Sequence, residues 1–560
     1  MGDTKSNALA QAAYNAGLNC GRPDEAIAHY TEAIRLNPKF EDAYSSRGLS
    51  YLLKGNKDKA YADFDEVLRI NPNNVEAGKY RSEISAIQNT SSSPKVELPK
   101  PPRRSRGLGN GRSIFITVFV VLCIIAVALI TFLIMRETPD MKWYSDNPNE
   151  TSFTISTAEE LAWLAKIVNG TQGVWSKKRD NFIGKTITLA GNIDMSQYGN
   201  WVPIGNYSID TNNIFSGTFN GGGYVISGLT INRPDVDRQG LFGRIDGGMV
   251  ENLGLDNVNI YGHDRVGAVA GVINKGSRII NCYSTGLING MAMVGGLTGA
   301  IADNSDVGNS YSTVSVNGDV AVGGVVGGIN GKSSVIGSYS IGVVSGRHGV
   351  GGVVGSVVNE SCVVGSYSAG MVKGSNDVGG VAGQILSKSN MANSYSTGTV
   401  GGRDIVGGVV GTVGDNGQVV NSYSTAVVSG DTAVGGVAGQ VRGNSSVISC
   451  AALNSEVKGN NTSVGRVVGG FLKSTLSNNV AIDEMKNGTG NIKWTNKGAA
   501  TINGANITVA TIKRDGTIGG RFTSANGWTT QNGKLPSLSV VVSTSEGTKP
   551  LQQKAQGGRN

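Results

Sequence analysis

Between residues 211 and 470 the apolar positions form short runs that recur every 28 residues. Runs such as Val322–Val326 and Val335–Ile336 are bounded by Gly, Asn or Ser, and helical periodicity is nearly absent. Short apolar runs between turn residues predict β-strands joined by tight turns. A fixed period of this length predicts stacked copies of one unit, so we expect a solenoid rather than an ordinary globular core.

Two sequence phrases carry this period. One contains a tyrosine within near copies of Asn-Ser-Tyr-Ser-Thr-Gly, and the other begins Val-Gly-Gly. The tyrosines are Tyr283, Tyr311, Tyr339, Tyr367, Tyr395 and Tyr423, and the second phrase begins at Val294, Val322, Val350, Val378, Val406 and Val434. Twenty-eight residues fit one coil of a right-handed parallel β-helix with three short strands, and such coils stack about 4.8 Å apart.

The residue two places before each tyrosine is always Asn or Gly, the residue types that best tolerate a positive φ. These residues are Asn281, Asn309, Gly337, Gly365, Asn393 and Asn421. We therefore predict a left-handed bend at this position in every coil. The paired glycines of the second phrase predict another tight bend or a close approach of two backbones.

These phrases resemble the GLUG-type repeats of bacterial surface proteins and of IgA-cleaving metalloendopeptidases. The resemblance extends over about residues 153–538 and includes Phe215–Asn232, Gln239–Gly248, Asn252–Ile260, Gly527–Trp528 and Leu535–Leu538. The peptidases of this kind carry a His-Glu-x-x-His zinc motif. None of the three histidines of this chain, His29, His263 and His348, lies in such a motif. The resemblance therefore implies the scaffold without the protease, and we assign no catalytic residue, metal site or cofactor.

An apolar stretch without a charged residue, Ser113–Met135, is long enough to cross a bilayer as one helix. It starts too far along the chain to be a signal peptide and lacks a convincing small-residue cleavage site. Basic residues dominate the segment before it, whereas the segment after it balances two basic residues with two acidic ones. The positive-inside rule then predicts a single-pass protein of the cell membrane, with residues 1–112 in the cytoplasm and 137–560 outside.

Most of the positive charge lies next to this stretch. Residues 91–112 hold six Lys or Arg and one Glu, which is +5 of the formal net charge of +8. Their Ser- and Pro-rich composition predicts an extended linker. We expect Arg103, Arg104, Arg106 and Arg112 to meet anionic lipid headgroups, and the charge does not form a nucleic-acid face.

Residues 1–90 resemble a pair of tetratricopeptide repeats, because Asp24–Pro38 and Asp58–Pro72 match at a 34-residue step. The family's small, aromatic, small and proline positions fall on Ala26, Tyr30, Ala33 and Pro38, then on Ala60, Phe64, Val67 and Pro72, with Gly48 and Tyr51 in the helix between them. Small residues let paired helices approach, and proline ends them. The resemblance implies a cytoplasmic module that binds a protein or peptide, or alternatively one for self-association or spacing.

The ends of the solenoid need covers, since open sheet edges invite pairing with other chains. Thr157–Glu160 is a capping-box pattern followed by an apolar run that stops at Asn169-Gly170, which predicts a short helix over the first coil. The predicted divisions are a tetratricopeptide-repeat domain at 1–90, a linker at 91–112, a transmembrane helix at 113–135, an opening segment with a capping helix at 136–210, GLUG-type repeats at 211–470, terminal coils with a cap around Trp528 at 471–542 and a disordered tail at 543–560.

Two of the five cysteines, Cys282 and Cys450, occupy one repeat position six coils apart, and Cys362 lies about three coils from each. At about 4.8 Å per coil the first two are about 29 Å apart, far beyond the ~7 Å between Cα atoms that a disulfide allows. We interpret Cys282 and Cys450 as small buried substitutes for the serine of the other coils.

The tyrosine column is the first candidate ligand-binding surface. With outward rings it would form an aromatic stripe about 24 Å long, suited to sugars or partner side chains. With inward rings it would be a core stack, and even an outward stripe could serve only cross-coil packing. The exchange of Cys with Ser beside the tyrosine indicates that the neighbouring position faces inward, but the adjacent bend leaves the tyrosine direction open.

The turn before each Val-Gly-Gly phrase carries charge and forms the second candidate surface. Its members in the repeats are Asp319, Arg347, His348, Asp377, Arg403, Asp404 and Asp431, preceded by His263, Asp264 and Arg265. Carboxylates such as Asp377 and Asp404 could line a lateral groove of the kind that polysaccharide-cleaving β-helices use. The alternative is a row of solvated turn tips that mixes both signs.

From the sequence we expect a membrane-anchored, adhesin-like or structural surface protein and not an enzyme. Its solenoid would bind an extracellular glycan or protein, and its N-terminal module a cytoplasmic protein or peptide. One alternative is a carbohydrate-active enzyme, namely a polysaccharide lyase or hydrolase on the β-helix. The other is an assembly factor whose cytoplasmic repeats do the biological work.

Overall fold

The structure, a computed structural model, describes residues 23–53, 56–72, 142–171, 179–206, 213–460, 463–488 and 493–538, together with residues 10, 74, 77–78 and 81. The chain divides into two compact units, Met1–Val120 and Val121–Asn560. The predicted linker, transmembrane helix and tail, at 91–112, 113–135 and 543–560, lie outside the described residues. In the part of the chain that is described, no helix has the length and apolar character needed to cross a membrane.

The described residues of the first unit include the helices α1 at Pro23–Leu36, α2 at Glu41–Leu53 and α3 at Lys57–Ile70. The repeat positions that the sequence marked as packing residues are buried: Tyr30, Ala33, Ala60, Phe64 and Val67. At Gly48 an added Cβ would lie 3.0 Å from the Phe64 ring. The small residue therefore lets α2 and α3 approach, as predicted. The predicted opening helix at 7–18 and capping helix at 73–88 lie largely outside the described residues.

The second unit is a parallel β-solenoid built from four sheets, which we name sheets I to IV in the order in which each coil meets them. Sheet I consists of Ser152–Ile155, Thr186–Leu189, Thr218–Asn220, Met249–Glu251, Arg278–Ile280, Asp306–Gly308, Ser334–Ile336, Cys362–Val364, Asn390–Ala392, Gln418–Val420, Ser446–Ile448 and Thr475–Ser477. Sheet II consists of Ile193–Asp194, Val225–Ser227, Thr230–Asn232, Gly254–Tyr261, Tyr283–Asn289, Tyr311–Ser312, Ser315–Asn317, Tyr339–Ser340, Val344–Ser345, Tyr367–Ser368, Met371–Lys373, Tyr395–Ser396, Thr399–Gly401, Tyr423–Ser424, Val427–Gly430, Ala451–Ala452, Glu456–Gly459, Val480–Ile482, Lys486–Asn487 and Ala505–Ile507.

Sheets III and IV complete each coil on either side of the paired glycines. Sheet III consists of Asp264–Val266, Ala292–Gly295, Val320–Gly323, His348–Gly351, Asn376–Gly379, Asp404–Gly407, Thr432–Gly435 and Val464–Gly465. Sheet IV consists of Phe242–Asp246, Ala270–Asn274, Thr298–Ile301, Val326–Ile329, Val354–Val357, Ala382–Ile385, Val410–Val413, Ala438–Arg442 and Val468–Leu472.

The expectation of three strands per coil was wrong for two physical reasons. The glycines of the Val-Gly-Gly phrase divide its apolar run into one strand of sheet III and one of sheet IV. In most coils the tyrosine-bearing run is also divided, and in three of them the serine after the tyrosine, Ser312, Ser340 or Ser424, accepts a hydrogen bond from the backbone two residues on. Ser312 Oγ accepts from the Val314 amide at 3.2 Å, which draws the backbone away from the ladder. Five short strand segments result in these coils.

Residues 28 positions apart pair directly through the repeats, as Tyr339 with Tyr367 and Val335 with Val363. The predicted left-handed bends are confirmed: φ lies between 48° and 61° at Asn281, Asn309, Gly337, Gly365, Asn393 and Asn421. The close approach at the second glycine is confirmed as well. A Cβ on Gly324 would lie 2.2 Å from the carbonyl oxygen of Gly352 in the next coil.

Both predicted covers are present. Helix α5 spans Ala158–Asn169, begins with a complete capping box between Thr157 and Glu160, and adds its apolar side to the solenoid core. It follows a short helix α4 at Lys142–Ser145, and α6 at Val509–Asp515 precedes a 3₁₀ turn at Ser524–Asn526. An antiparallel pair, Trp528–Thr529 with Ser537–Leu538, completes the C-terminal segment.

Arg466 replaces the second glycine of the last Val-Gly-Gly phrase, and its buried guanidinium closes the final coils. It donates to the carbonyl oxygens of Asn503 and Gly504, each at 2.9 Å.

Candidate functional site

The six repeat tyrosines form one continuous ring stack along sheet II. Successive ring centroids are 4.7–5.2 Å apart, and successive ring planes differ by only 2–8°. The in-register pairing of the parallel strands fixes this spacing, since each tyrosine lies directly opposite the next. Each inner ring therefore covers the faces of its neighbours.

The tyrosines point outward. The serines on both sides of Tyr339, Ser338 and Ser340, are completely buried, whereas Tyr339 is half-buried. The same alternation holds in the other coils, and only Tyr423 is buried, at 3% exposure. Strand alternation thus decides the direction that the sequence left open.

The ring faces at both ends of the tyrosine column are packed against other residues. At the first end the Tyr283 ring occupies the space beside Gly254, where an added Cβ would lie 2.6 Å from ring atoms. At the other end Phe522 meets Tyr423 edge-on at 5.6 Å, and Trp528 lies across Tyr395 and Tyr423 at 6.1 and 5.6 Å. Solvent therefore reaches ring edges and hydroxyls, so a sugar cannot stack face-on against the inner rings.

The hydroxyls of the column are hydrogen-bond donors at physiological pH. Burial raises the pKa of every column tyrosine, to about 12 for Tyr395, so the phenols stay protonated. Tyr423 donates to the carbonyl oxygen of Pro536 at 2.8 Å. Within the described part of the chain the other five hydroxyls have no such partner. They are the polar groups that this face presents to a ligand.

A second outward column on sheet II, four residues beyond the tyrosines, adds apolar surface. It contains the exposed residues Leu287, Val343, Met371 and Val427, with Ser315 and Thr399 in the remaining coils. The sequence analysis missed this column because its residue type changes from coil to coil. The 28-residue step is the signal that could have revealed it. We use the name tyrosine face for the two columns together.

The charged turns follow one another in register at the start of the strands of sheet III, and several of their charges pair locally. Arg347 donates to Asp319 of the preceding coil at 2.7 Å, and Arg403 donates to its neighbour Asp404 at 2.9 Å. Hydrogen bonds from Thr432 and Arg403 lower the pKa of the Asp404 carboxyl. Asp431 accepts from Asn460 at 2.5 Å. His348 lies apart from these pairs, in the groove described below.

The two carboxylates proposed for a catalytic pair have different partners. Asp377 accepts from Gln384 at 2.7 Å and from Thr412, both on sheet IV. Asp404 instead binds Thr432 and Arg403 on its own edge. Each carboxylate is thus held by protein donors.

The interpretation of the cysteines is confirmed for the described residues. Cys282 and Cys450 are buried and unpaired, and Cys362 is half-buried and unpaired. The Cys282 thiol lies 3.3 Å from the Ile280 carbonyl oxygen, in the place where Ser310 Oγ donates to Gly308. Burial raises the pKa of Cys282 and Cys450 to about 12, so both stay thiols.

Two further features lie beside the charged edge. The atoms of Asp237, His263 and Asp264 that could bind a metal ion lie within 4.8 Å of one another. The hydrogen bond that His263 donates to Asp237 raises the pKa of His263. A groove of about 520 Å³ runs between sheets III and IV, and its lining includes Arg265 and His348. Asp237 belongs to an earlier coil, so the spacing of the repeat did not mark it.

Two protein families match the N-terminal part of the chain. A TPR repeat family matches residues 15–55, and a Tetratricopeptide repeat family matches residues 41–74. The N-terminal region therefore contains tetratricopeptide repeats, and a parallel β-solenoid follows it.

Two curated proteins match short stretches of the chain. Halomucin of Haloquadratum walsbyi is 40% identical over 89 residues, which is 16% of this chain and 1% of that protein. A candidate Gly-rich membrane protein of Evansella cellulosilytica is 39% identical over 102 residues, which is 16% of this chain and 11% of that protein. The chain thus spans only a small part of the length of either protein.

Among solved structures, a candidate immunoglobulin A1 protease from Bacteroides ovatus aligns with 70% of this chain and 92% of its own. The TM-score is 0.32 and the sequence identity 18%. A likeness this weak adds nothing to the fold described above.

Proposed function

We propose that the chain is a membrane-anchored surface protein, with its solenoid outside the cell and its tetratricopeptide repeats in the cytoplasm. The apolar stretch at 113–135 and the basic residues before it support this topology. The solenoid would be a right-handed β-helix of the GLUG type that acts as an adhesin-like binding surface or a stalk. The names of the two curated relatives are compatible with a surface location.

The binding proposal rests on the end of the tyrosine face that the C-terminal segment covers. There the protein's own C-terminal segment places an aromatic ring across two tyrosine edges and accepts a hydroxyl hydrogen at a carbonyl oxygen. Tyr283, Tyr311, Tyr339 and Tyr367 offer the same edges and donors without a cover. We expect a ligand with carbonyl or hydroxyl acceptors, on an extracellular glycan or protein.

The topology is tested in intact cells that express the full chain with a different epitope tag at each end. Added protease should remove the C-terminal tag and leave the N-terminal tag, which becomes accessible only after lysis. Loss of the N-terminal tag in sealed cells would overturn the orientation. Protection of both tags would overturn the surface location.

The cytoplasmic partner forms a separate part of the proposal. Tetratricopeptide repeats pack paired helices whose surfaces bind peptides or proteins. Affinity capture from the cytosol with the full chain should recover a partner that a chain lacking residues 1–90 does not recover. Equal recovery by both chains would remove this role from the repeats and favour a spacing function.

A further inference from the structure

The tyrosine column brings oxidisable side chains together in an arrangement that the proposed function does not use. Adjacent rings lie 4.7–5.2 Å apart in nearly parallel planes, on strands whose backbones are paired in register. While the solenoid is folded, each ring keeps the same neighbouring rings. A radical formed on one ring therefore always has a second phenol beside it.

We propose that the column is a site of oxidative cross-linking, in which neighbouring tyrosines form dityrosine and join consecutive coils covalently. The oxidant is a haem peroxidase with hydrogen peroxide. Each of two phenols gives one electron to the peroxidase and releases one proton. The two phenoxyl radicals form one carbon–carbon bond between ring positions ortho to the hydroxyls. Each ortho carbon then loses its hydrogen as a proton when its ring regains aromaticity, and each oxygen takes up one proton. The net release is two electrons and two protons, which reduce one hydrogen peroxide to two water molecules.

Exposure decides which tyrosines can react. Coupling requires a ring to tilt out of the parallel stack, and the half-buried rings from Tyr283 to Tyr367 have free outer edges, whereas Trp528 lies across Tyr395. Tyr423 cannot tilt in this way, because Phe522 and Trp528 contact its ring and its hydroxyl is bound to Pro536. The links should therefore form among the first four tyrosines and spare the sixth.

Two triple variants with equal numbers of column tyrosines provide the test. The consecutive variant, Tyr283→Phe, Tyr311→Phe and Tyr423→Phe, keeps three neighbours at Tyr339, Tyr367 and Tyr395. The alternating variant, Tyr311→Phe, Tyr367→Phe and Tyr423→Phe, leaves tyrosines two coils apart, about 10 Å. Phenylalanine preserves the ring stack, so both variants should fold, which circular dichroism and thermal unfolding would verify.

The purified full chain and both variants are treated with peroxidase and peroxide, then analysed by dityrosine fluorescence and peptide mass spectrometry. Trypsin places Tyr339, Tyr367 and Tyr395 in three different peptides, so their links appear as joined peptides lighter by two hydrogens. We expect these products from the unmodified chain and the consecutive variant, at least tenfold more than from the alternating variant. Equal yields from the two variants would overturn the proposal. Links confined to tyrosines outside the column, or absent from the unmodified chain, would overturn it too.

Discussion

Tyr423 donates its hydroxyl hydrogen to the carbonyl oxygen of Pro536, 113 residues away in sequence, at 2.8 Å. This contact joins the last repeat tyrosine to the C-terminal segment. After Tyr423 the same register position holds Ala451 and then Val480, whose smaller side chains leave room on the sheet. Phe522 and Trp528 pack against the end of the column. The C-terminal segment is therefore part of the solenoid and not an appendage to it.

Replacing Trp528 with Ala should loosen this segment. The indole is 1% exposed and contacts Tyr395, Tyr423 and Phe522. We expect a loss of about 3–5 kcal/mol in the local free energy of unfolding, as for other large buried aromatic residues. Hydrogen-exchange mass spectrometry should show faster exchange over 505–538 with little change before Tyr367. Tyr261→Ala, at a 48% exposed site, is the control and should change exchange little. Unchanged exchange in the Trp528 variant would contradict this account of the cap.

Substitutions at two glycines separate the effect of backbone conformation on stability from the effect of steric crowding. Gly365 has φ +61° and Gly401 an ordinary φ, and an added Cβ would meet nothing closer than 3.8 Å and 3.6 Å, respectively. Gly365→Ala should lower the free energy of unfolding by about 1 kcal/mol, because a left-handed residue with a Cβ is strained. Gly401→Ala should be neutral or stabilising by about 0.5 kcal/mol, because it reduces the entropy of the unfolded chain. Guanidinium unfolding of both variants measures the difference, and equal effects would show that the left-handed bend is not strained by a side chain.

The contact between His263 and Asp237 makes the stability of the fold depend on pH. The Nδ1 of His263 lies 3.0 Å from Asp237 Oδ1, and this hydrogen bond raises the pKa of His263 above the ordinary 6.5. Since the folded-state pKa is the higher one, the contact stabilises the fold fully below about pH 6.5 and loses this effect as pH rises through the folded pKa. An NMR titration should give a raised value that Asp237→Asn lowers. Asp319→Asn is the control and should leave the titration unchanged. A His263 pKa insensitive to Asp237 would contradict the assignment.

Arg466→Gly restores the repeat phrase but should destabilise the final coils. The buried guanidinium donates to Asn503 and Gly504, and burial lowers its pKa. Its removal leaves a cavity and buried acceptors, at a cost on the order of 3 kcal/mol. Thermal unfolding and proteolysis should reveal earlier loss of the C-terminal coils. Arg403→Gly removes an arginine whose side chain is 67% exposed and should have a much smaller effect. A destabilisation no larger than that control would exclude the closing role of Arg466.

The sequence was most informative at positions where the backbone conformation or a close contact restricts which residue types fit. Asn309 and Gly337 marked the left-handed bend, and Gly324 marked the close approach, because the physical constraint recurs in every coil. The direction of the tyrosines depended on how the strand leaves the bend, which local pattern does not determine. The split strands depended on a serine hydroxyl that competes with the ladder.

The candidate site was predicted less completely than the fold. The tyrosine column was recognisable because the same residue recurs in every repeat. The second column, from Leu287 to Val427, was not recognised because its apolar residue type varies between coils. The cap on Tyr423 joins residues far apart in sequence, and no repeat connects them. The sequence marked the charged turns, but it did not reveal that Arg347 pairs with Asp319 of the preceding coil.

The most direct test of the account is a glycan and extracellular-matrix binding screen of the full chain in detergent, beside a variant with all six column tyrosines changed to phenylalanine. This change removes the hydroxyls and keeps the ring stack. A second variant, Asp319→Asn with Arg347→Gln, alters the charged edge as a matched control. The account predicts a ligand that the unmodified chain and the edge variant bind equally and that the folded phenylalanine variant binds at least tenfold more weakly. Equal binding by the phenylalanine variant, or loss confined to the edge variant, would contradict a recognition role for the tyrosine face.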